Sequence, residues 1–253
     1  AWWLPVFPVE HPRKSKVRLV YDGSAKYQGV SLNDKLMQGP DINNQMHGVL
    51  LRFREHPVAF MADIESMYTA FRVPNYHKDY LRFFWFRNND PSEPLIEFRA
   101  KYHIFGSRSS PATAIYGLKY ATTKAQNESR QAKSFISDSF YVDDGLSSVE
   151  SDIEAMNILD DARDILAKHN IRLHKIMSNE PQVLQHFPNS ERAYDILKLD
   201  SCDPTYQRTL GVSWDPTDDC FRFDVSIPNR KFTKRGVLSC VNSIYDPLGM
   251  AAP

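Results

Sequence analysis

Apolar positions along this chain change period repeatedly, between alternation every second residue and recurrence every three or four, which predicts strands and helices interspersed along its length. "KVRLVYD" (Lys16 to Asp22) reads as a strand. In "DINNQMHGVLLRFREHP", Ile42, Gln45, Met46, Val49, Leu50 and Phe53 share one helical face, with Asp41 as the expected N-cap and Pro57 as the stop. "VAFMADI" follows as a buried strand, and "LRFFWF" and "LIEFRAKY", joined by the turn-rich "RNNDPSEP", predict a hairpin. Ser110 before Pro111 opens a helix expected to run to about Glu128, with the hairpin of "SFYVDDGLSS" directly after it. Ile153, Met156, Leu159, Ala162, Ile165 and Leu166 then mark an amphipathic helix, and "IRLHKIM" (Ile171 to Met177) a strand. "RTLGVSWDPTDDCFRFDVSI" predicts a second hairpin turning at Pro216 to Asp219, and "TKRGVLSCVNSIYD" a last helix. The expected class is mixed α+β.

Composition adds limits. With 253 residues, 42% hydrophobic and 25% charged, the chain can bury a core and stay water-soluble. Lys+Arg and Asp+Glu both total 31, so a surface for a polyanion must be a local patch. Cys202, Cys220 and Cys240 are odd in number and widely spaced, which argues against a disulfide framework and a zinc site; they read as buried thiols in a reducing compartment. No apolar run has the length of a membrane span, and the start lacks the order of a signal peptide. The chain begins with Ala and stops at "DPLGMAAP" without a closing element, the expectation being a piece of something longer.

The chemistry concentrates on three aspartates. Asp143 and Asp144 stand side by side in "FYVDDGL". Adjacent carboxylates repel, and desolvating either is expensive without a compensating cation or donor, although Asp-Asp-Gly is also ordinary turn chemistry. Eighty residues earlier, Asp63 ends the apolar strand of "FMADIESMYTAFRVP"; alone it reads as a helix N-cap. If that strand lies beside the Tyr141 hairpin, Asp63, Asp143 and Asp144 converge, and a cluster of oxygen ligands suits Mg²⁺ or Mn²⁺. A pair of such cations is the standard device of in-line phosphoryl transfer.

The ordered blocks "KVRLVYDGSAKYQGVSLND", "LRFREHPVAFMADIE", "FGSRSSPATA", "YVDDGL", "LGVSWD" and "TKRGVLSCVNSIYDPLGM" resemble the reverse transcriptases. Across nearly the whole chain they are similar to the polymerase region of BEL/Pao long-terminal-repeat retrotransposons. The resemblance implies a right-hand fold of fingers, palm and thumb, the palm an antiparallel sheet backed by helices. It assigns 1–57 to the fingers, 58–75 to the palm strand with the first aspartate, 76–104 to a fingers hairpin, 105–204 to the palm, 205–230 to a primer-grip hairpin and 231–253 to the start of a thumb. The implied activity is RNA-directed DNA polymerisation on an RNA template or a DNA primer-template with dNTPs. The protease, RNase H and integrase of a polyprotein would lie outside this chain, and the setting would be a cytoplasmic virus-like particle.

The resemblance also implies roles. Asp63, Asp143, Asp144 and the Ile64 carbonyl would hold two Mg²⁺ or Mn²⁺ ions. Tyr68 would lie against the sugar of the incoming nucleotide and exclude a 2′-hydroxyl, and amides near Ser66 and Met67 would meet its triphosphate. Arg18, with Lys14 or Lys16, would grip that triphosphate, Lys175 would protonate pyrophosphate, and Phe105 and Gly106 would shape the pocket floor. Leu210, Gly211, Val212 and Trp214 would form the primer grip. Phe105 stands where the better-known retroviral pattern has glutamine, so the polar contact of that glutamine is lost. His103 reads as structural, being a lone histidine among aromatics. Two rivals remain from the sequence: a degenerate retroelement fragment that binds nucleic acid without chemistry, and an RNA-directed RNA polymerase, which Tyr68 disfavours.

Overall fold

The computed structural model describes residues 2–11, 14–125, 128–193, 207–209, 212–222, 228–244 and 246–249, with the backbone alone for 10–11, 14–18 and 207–209. In chain order the elements are β1 (Val6–His11), β2 (Lys14–Tyr21), α1 (Leu32–Lys35), α2 (Met46–Phe53), β3 (Val58–Ile64), β4 (Arg82–Phe86), β5 (Leu95–Arg99), α3 (Ser110–Lys124), α4 (Arg130–Asp138), β6 (Phe140–Tyr141), β7 (Asp144–Val149), α5 (Asp152–Ala167), β8 (Leu173–Ser178), α6 (Pro181–His186), β9 (Gln207–Thr209), β10 (Val212–Asp215), β11 (Cys220–Arg222) and α7 (Lys234–Val241). They form two compact units, 1–42 with 66–120, and 43–65 with 121–253.

The first unit carries two antiparallel hairpins, β1–β2 and β4–β5, around a small core of Leu4, Leu32, Val73, Leu81 and Ile104. Ser31 and Asp34 cap α1 reciprocally. Asn33, inside that short helix, ties two loops together: its amide donates to the Gly106 carbonyl at 2.9 Å and to Ser24 Oγ at 3.0 Å, while its oxygen accepts the Arg108 N–H at 2.9 Å. Gly106 must be glycine here, because its φ is +100° and a Cβ would stand 1.8 Å from the Tyr21 carbonyl oxygen.

The second unit is built on an antiparallel sheet ordered β6-β7-β3-β8. β3 is central and apolar on both faces, as a strand covered on both sides must be. Ala59 and Met61 face a core shared with Val49, Leu50 and Phe53 of α2, Leu146, Met177 and Trp214. Phe60 points the other way and meets Phe135 of α4 at 5.3 Å between ring centroids. α5 buries Ala155, Ile158, Leu159, Ala162, Ile165 and Leu166, and Ser151 caps it by accepting the Glu154 N–H. Trp214 is fully buried, edge-on to Phe53 at 4.8 Å, and donates its indole N–H to Asp219.

Several local expectations change. α2 begins at Met46, and Gln45, not Asp41, is its cap residue, without a side-chain bond. The reason lies at Asn44, whose amide donates to the Ser137 and Phe140 carbonyls and so holds the preceding segment extended. The Ser110 helix ends at Lys124, and α4, capped by Ser129, stands between it and the twin-aspartate hairpin. β1 went unread because Pro5 and Pro8 interrupt its pattern; prolines are compatible with an edge strand, and among the described residues β1 pairs only with β2. Ile153 is exposed, and Ile158 takes the inward place. Cys220 and Cys240 are half-buried rather than buried, and Cys202 lies outside the described residues. Among the described residues, no helix is long and apolar enough to cross a membrane.

Candidate active site

Asp63 is no helix cap. It is the penultimate residue of β3 and is paired in register with Asp144 on β7 and with His174 on β8. The Ile64 N–H donates to the Asp143 carbonyl at 2.9 Å, and the Glu65 N–H to the Arg172 carbonyl at 2.9 Å. The strand order therefore brings the three aspartates to one end of one sheet across the eighty-residue gap. Asp143 sits in the turn between β6 and β7 and is exposed; Asp144 and Asp63 are half-buried.

The Asp63 carboxylate is engaged on both oxygens. His174 Nε2 is 3.0 Å from Oδ1, and Lys175 Nζ forms an ion pair with Oδ2. Burial alone would push this carboxyl up, but the hydrogen bonds from His174 and Lys175 and the charge of Lys175 outweigh it and hold the group below the ordinary carboxylate value. Lys175 thus lies against Asp63 with its side chain 38% exposed. His174 was not among the residues singled out from the sequence; in "IRLHKIM" alternation breaks at the adjacent polar pair His174 and Lys175, a trace of the irregular strand that by itself does not say which carboxylate the pair would meet.

Of the eight described non-glycine residues with positive φ, three are close in sequence or strand pairing to these aspartates. Val142, immediately before Asp143, has φ +58°, Lys175 has φ +52°, and Ser66, three residues after Asp63, has φ +50°. Left-handed backbone is uncommon for any residue but glycine and is an outlier for a β-branched one such as Val142; such residues concentrate at functional sites.

The fit to a divalent cation is mixed in geometry and good in chemistry. Three carboxylates at one sheet end form an all-oxygen donor set of the kind Mg²⁺ and Mn²⁺ take. Like charges directly opposite on paired strands are destabilising without a counter-charge. Among the described residues, however, the ligand atoms lying within 4.8 Å of one another belong to Asp215, Asp218 and Cys220, and not to Asp63, Asp143 and Asp144. That first group already has its partners. Asp215 accepts two Arg222 N–H bonds at 3.0 and 2.9 Å and the Thr217 and Asp218 amides, which is a hairpin turn closed by an ion pair.

The remaining candidates divide between the units. In the first, the half-buried Tyr68 meets the Phe105 ring edge-on at 4.7 Å, and Phe105 is itself 43% exposed. Met67 is buried and Ser66 exposed. Lys14, Lys16 and Arg18 lie on β2, whose described part here is backbone. His103 is half-buried, with its imidazole pushed below the ordinary value by burial and Ser110 Oγ 3.4 Å away, in keeping with a structural role. In the second unit Val212 and Trp214 are core residues, while Leu210 and Gly211 lie outside the described residues.

No family model and no curated protein matches this sequence. Solved structures do match its fold. The foamy viral protease-reverse transcriptase in complex with double-stranded DNA superposes with a TM-score of 0.58 at 17% identity, covering 95% of this chain and 35% of that one. The same viral enzyme in complex with an RNA/DNA hybrid gives 0.56 at 17% identity, covering 95% and 27%. The mixture of helices and antiparallel sheet is thus that of the right-hand polymerase fold, as found in the reverse transcriptase part of those proteins. This chain spans about a third of their length or less.

Proposed function

We propose that this protein is a nucleotidyltransferase, an RNA-directed DNA polymerase of the BEL/Pao retrotransposon type that extends a primer 3′-hydroxyl with dNTPs. The observation that carries the reading is the register of β3 and β7, which sets Asp63 directly against Asp144 and bonds Ile64 to Asp143. The polymerase fold supports it. In this reading the first unit corresponds chiefly to fingers and the sheet of the second to palm, with α7 at the start of the thumb.

Asp63, Asp143, Asp144 and the Ile64 carbonyl would hold two Mg²⁺ or Mn²⁺ ions. When bound, the cations supply activation of the primer hydroxyl and charge neutralisation at the leaving pyrophosphate. The residues of the chain do the positioning. Tyr68, braced by Phe105, packs against the sugar and leaves no room for a 2′-hydroxyl. Gly106, fixed through Asn33, holds the floor beneath it. Arg18, with Lys14 or Lys16, would grip the triphosphate through charge-assisted bonds, and amides near Ser66 and Met67 would add neutral donors. Lys175, beside Asp63, would deliver a proton to pyrophosphate. The buried Val212 and Trp214 would anchor the primer grip that they form with Leu210 and Gly211 in this reading.

The test is incorporation of a dNTP onto a primed RNA template in Mg²⁺, by the chain and by its Asp143→Asn variant. Mg²⁺-dependent extension that the substitution abolishes supports the reading. Extension untouched by the substitution overturns it.

A further inference from the structure

We infer that His174 is a positioning residue for Asp63, delivered to it by an extra residue in β8; the inference rests on the reading of Asp63 as a metal-binding carboxylate. Met61 is paired with Met177, and Asp63 with His174, so β3 advances by two residues where β8 advances by three. β8 therefore carries a bulge, and the left-handed backbone of Lys175 accommodates it. In a regular strand successive side chains face opposite sides, so a lysine next to His174 would be driven to the other face of the sheet. With the bulge, Leu173 and Ile176 are buried on either side of two polar neighbours, and His174 and Lys175 both reach Asp63.

The two contacts differ in kind. The His174 side chain is 16% exposed, sits at the register position opposite Asp63, and has two torsions to hold. The Lys175 side chain is 38% exposed and carries a compact ammonium on a long flexible stem. His174 is thus the fixed contact and Lys175 the movable one. By donating Nε2–H to Oδ1, the imidazole sets the rotation of the carboxylate and leaves Oδ2, once the ammonium swings off, aimed along one direction for a cation. Outer partners of this sort orient a ligating carboxylate, and losing one typically weakens metal binding by about 10- to 100-fold.

The experiment measures Mn²⁺ binding to the free protein by the loss of its electron paramagnetic resonance signal, with thermal midpoints recorded for every variant. His174→Phe keeps the ring and removes the donor; Mn²⁺ affinity is expected to fall by about tenfold or more. His174→Gln places an N–H near the position of Nε2 and should restore it. His174→Asn, whose amide stops short, should behave like the phenylalanine variant and serves in its place if that variant does not fold. In primer extension His174→Phe and His174→Asn should lose kcat with little change in KM for dNTP, and His174→Gln should keep it. A contact that served stability alone would lower the midpoint and leave Mn²⁺ affinity unchanged, which would overturn the inference. Asp63→Asn separates the layers: if it weakens Mn²⁺ binding and His174→Phe does not, His174 alone is misassigned. If Asp63→Asn leaves Mn²⁺ binding unchanged, the reading of Asp63 as a ligand fails and the inference falls with it.

Discussion

Asp63 and Asp144 are direct partners across the β3–β7 pair, so two carboxylate side chains leave the same face of the sheet from neighbouring strands. Directly opposed positions have Cβ atoms only about 5 Å apart, and like charges there destabilise by up to about 1 kcal/mol. Asp144→Asn should therefore abolish primer extension while changing stability by no more than about 1 kcal/mol in denaturant unfolding. A variant that loses stability as well as activity would show that Asp144 serves the fold more than the reaction.

Acid should reach Asp63 late. Its carboxyl titrates below the ordinary value in the folded protein, so its ion pair and hydrogen bond contribute stability that is fully present above the unfolded-state value and lost as pH falls through the lower folded one. The window lies below about pH 4. Asp63→Asn should flatten the acid limb of a stability–pH curve there and leave the shape near neutrality unchanged. An acid limb identical to that of the wild type would mean that the pair contributes nothing to folding.

The hairpin tip carries strain that glycine would release. Val142 holds φ +58°, a conformation costing an ordinary residue roughly 1–2 kcal/mol. Glycine gives back part of that gain by loosening the unfolded chain, so Val142→Gly should stabilise by up to about 1 kcal/mol in denaturant unfolding. Its expected effect on catalysis is opposite, because the aspartates it precedes would be held less firmly. A destabilised Val142→Gly would place the strain elsewhere.

Tyr68 and Phe105 should act as a pair. Their rings meet edge-on at 4.7 Å, a geometry worth about 0.5–1.5 kcal/mol beyond area burial. A thermal double-mutant cycle of Tyr68→Val and Phe105→Ala should show coupling of that size. In extension assays Tyr68→Val should raise rNTP use relative to dNTP, and Phe105→Ala should do so to a smaller degree by letting the tyrosine ring recede. Strict additivity in the cycle, together with an unchanged dNTP/rNTP ratio, would return Tyr68 to the role of a structural aromatic.

Much of the sheet was legible because its strands are apolar and short. "VAFMADI" is continuous and buried on both faces, and in the other unit the apolar run "LRFFWF" pairs with "LIEFRAKY" as a separate hairpin, as expected. The pairing of Asp63 with Asp144 was an inference from order alone, since nothing local says which strands become neighbours. What escaped was long-range polar chemistry. Asn44 bonding to Ser137 and Phe140 delays α2, and Asn33 joins the Gly106 loop to Ser24; each spans more than local propensity can register, apart from the short reach to Ser24. The bulge at Lys175 left one trace, the adjacent polar pair His174 and Lys175 that breaks the alternation, but only pairing to β3 shows that both side chains reach one carboxylate.

Of the four tryptophans, Trp2, Trp3 and Trp85 belong to the first unit, and Trp214 is the single one in the second. Its indole is fully buried against Phe53. The chain therefore carries its own optical label for the sheet that holds the aspartates. With the other three tryptophans replaced by phenylalanine, the remaining fluorescence would come from one dry, ring-packed indole, and its red shift on unfolding would time the opening of that unit separately from the rest.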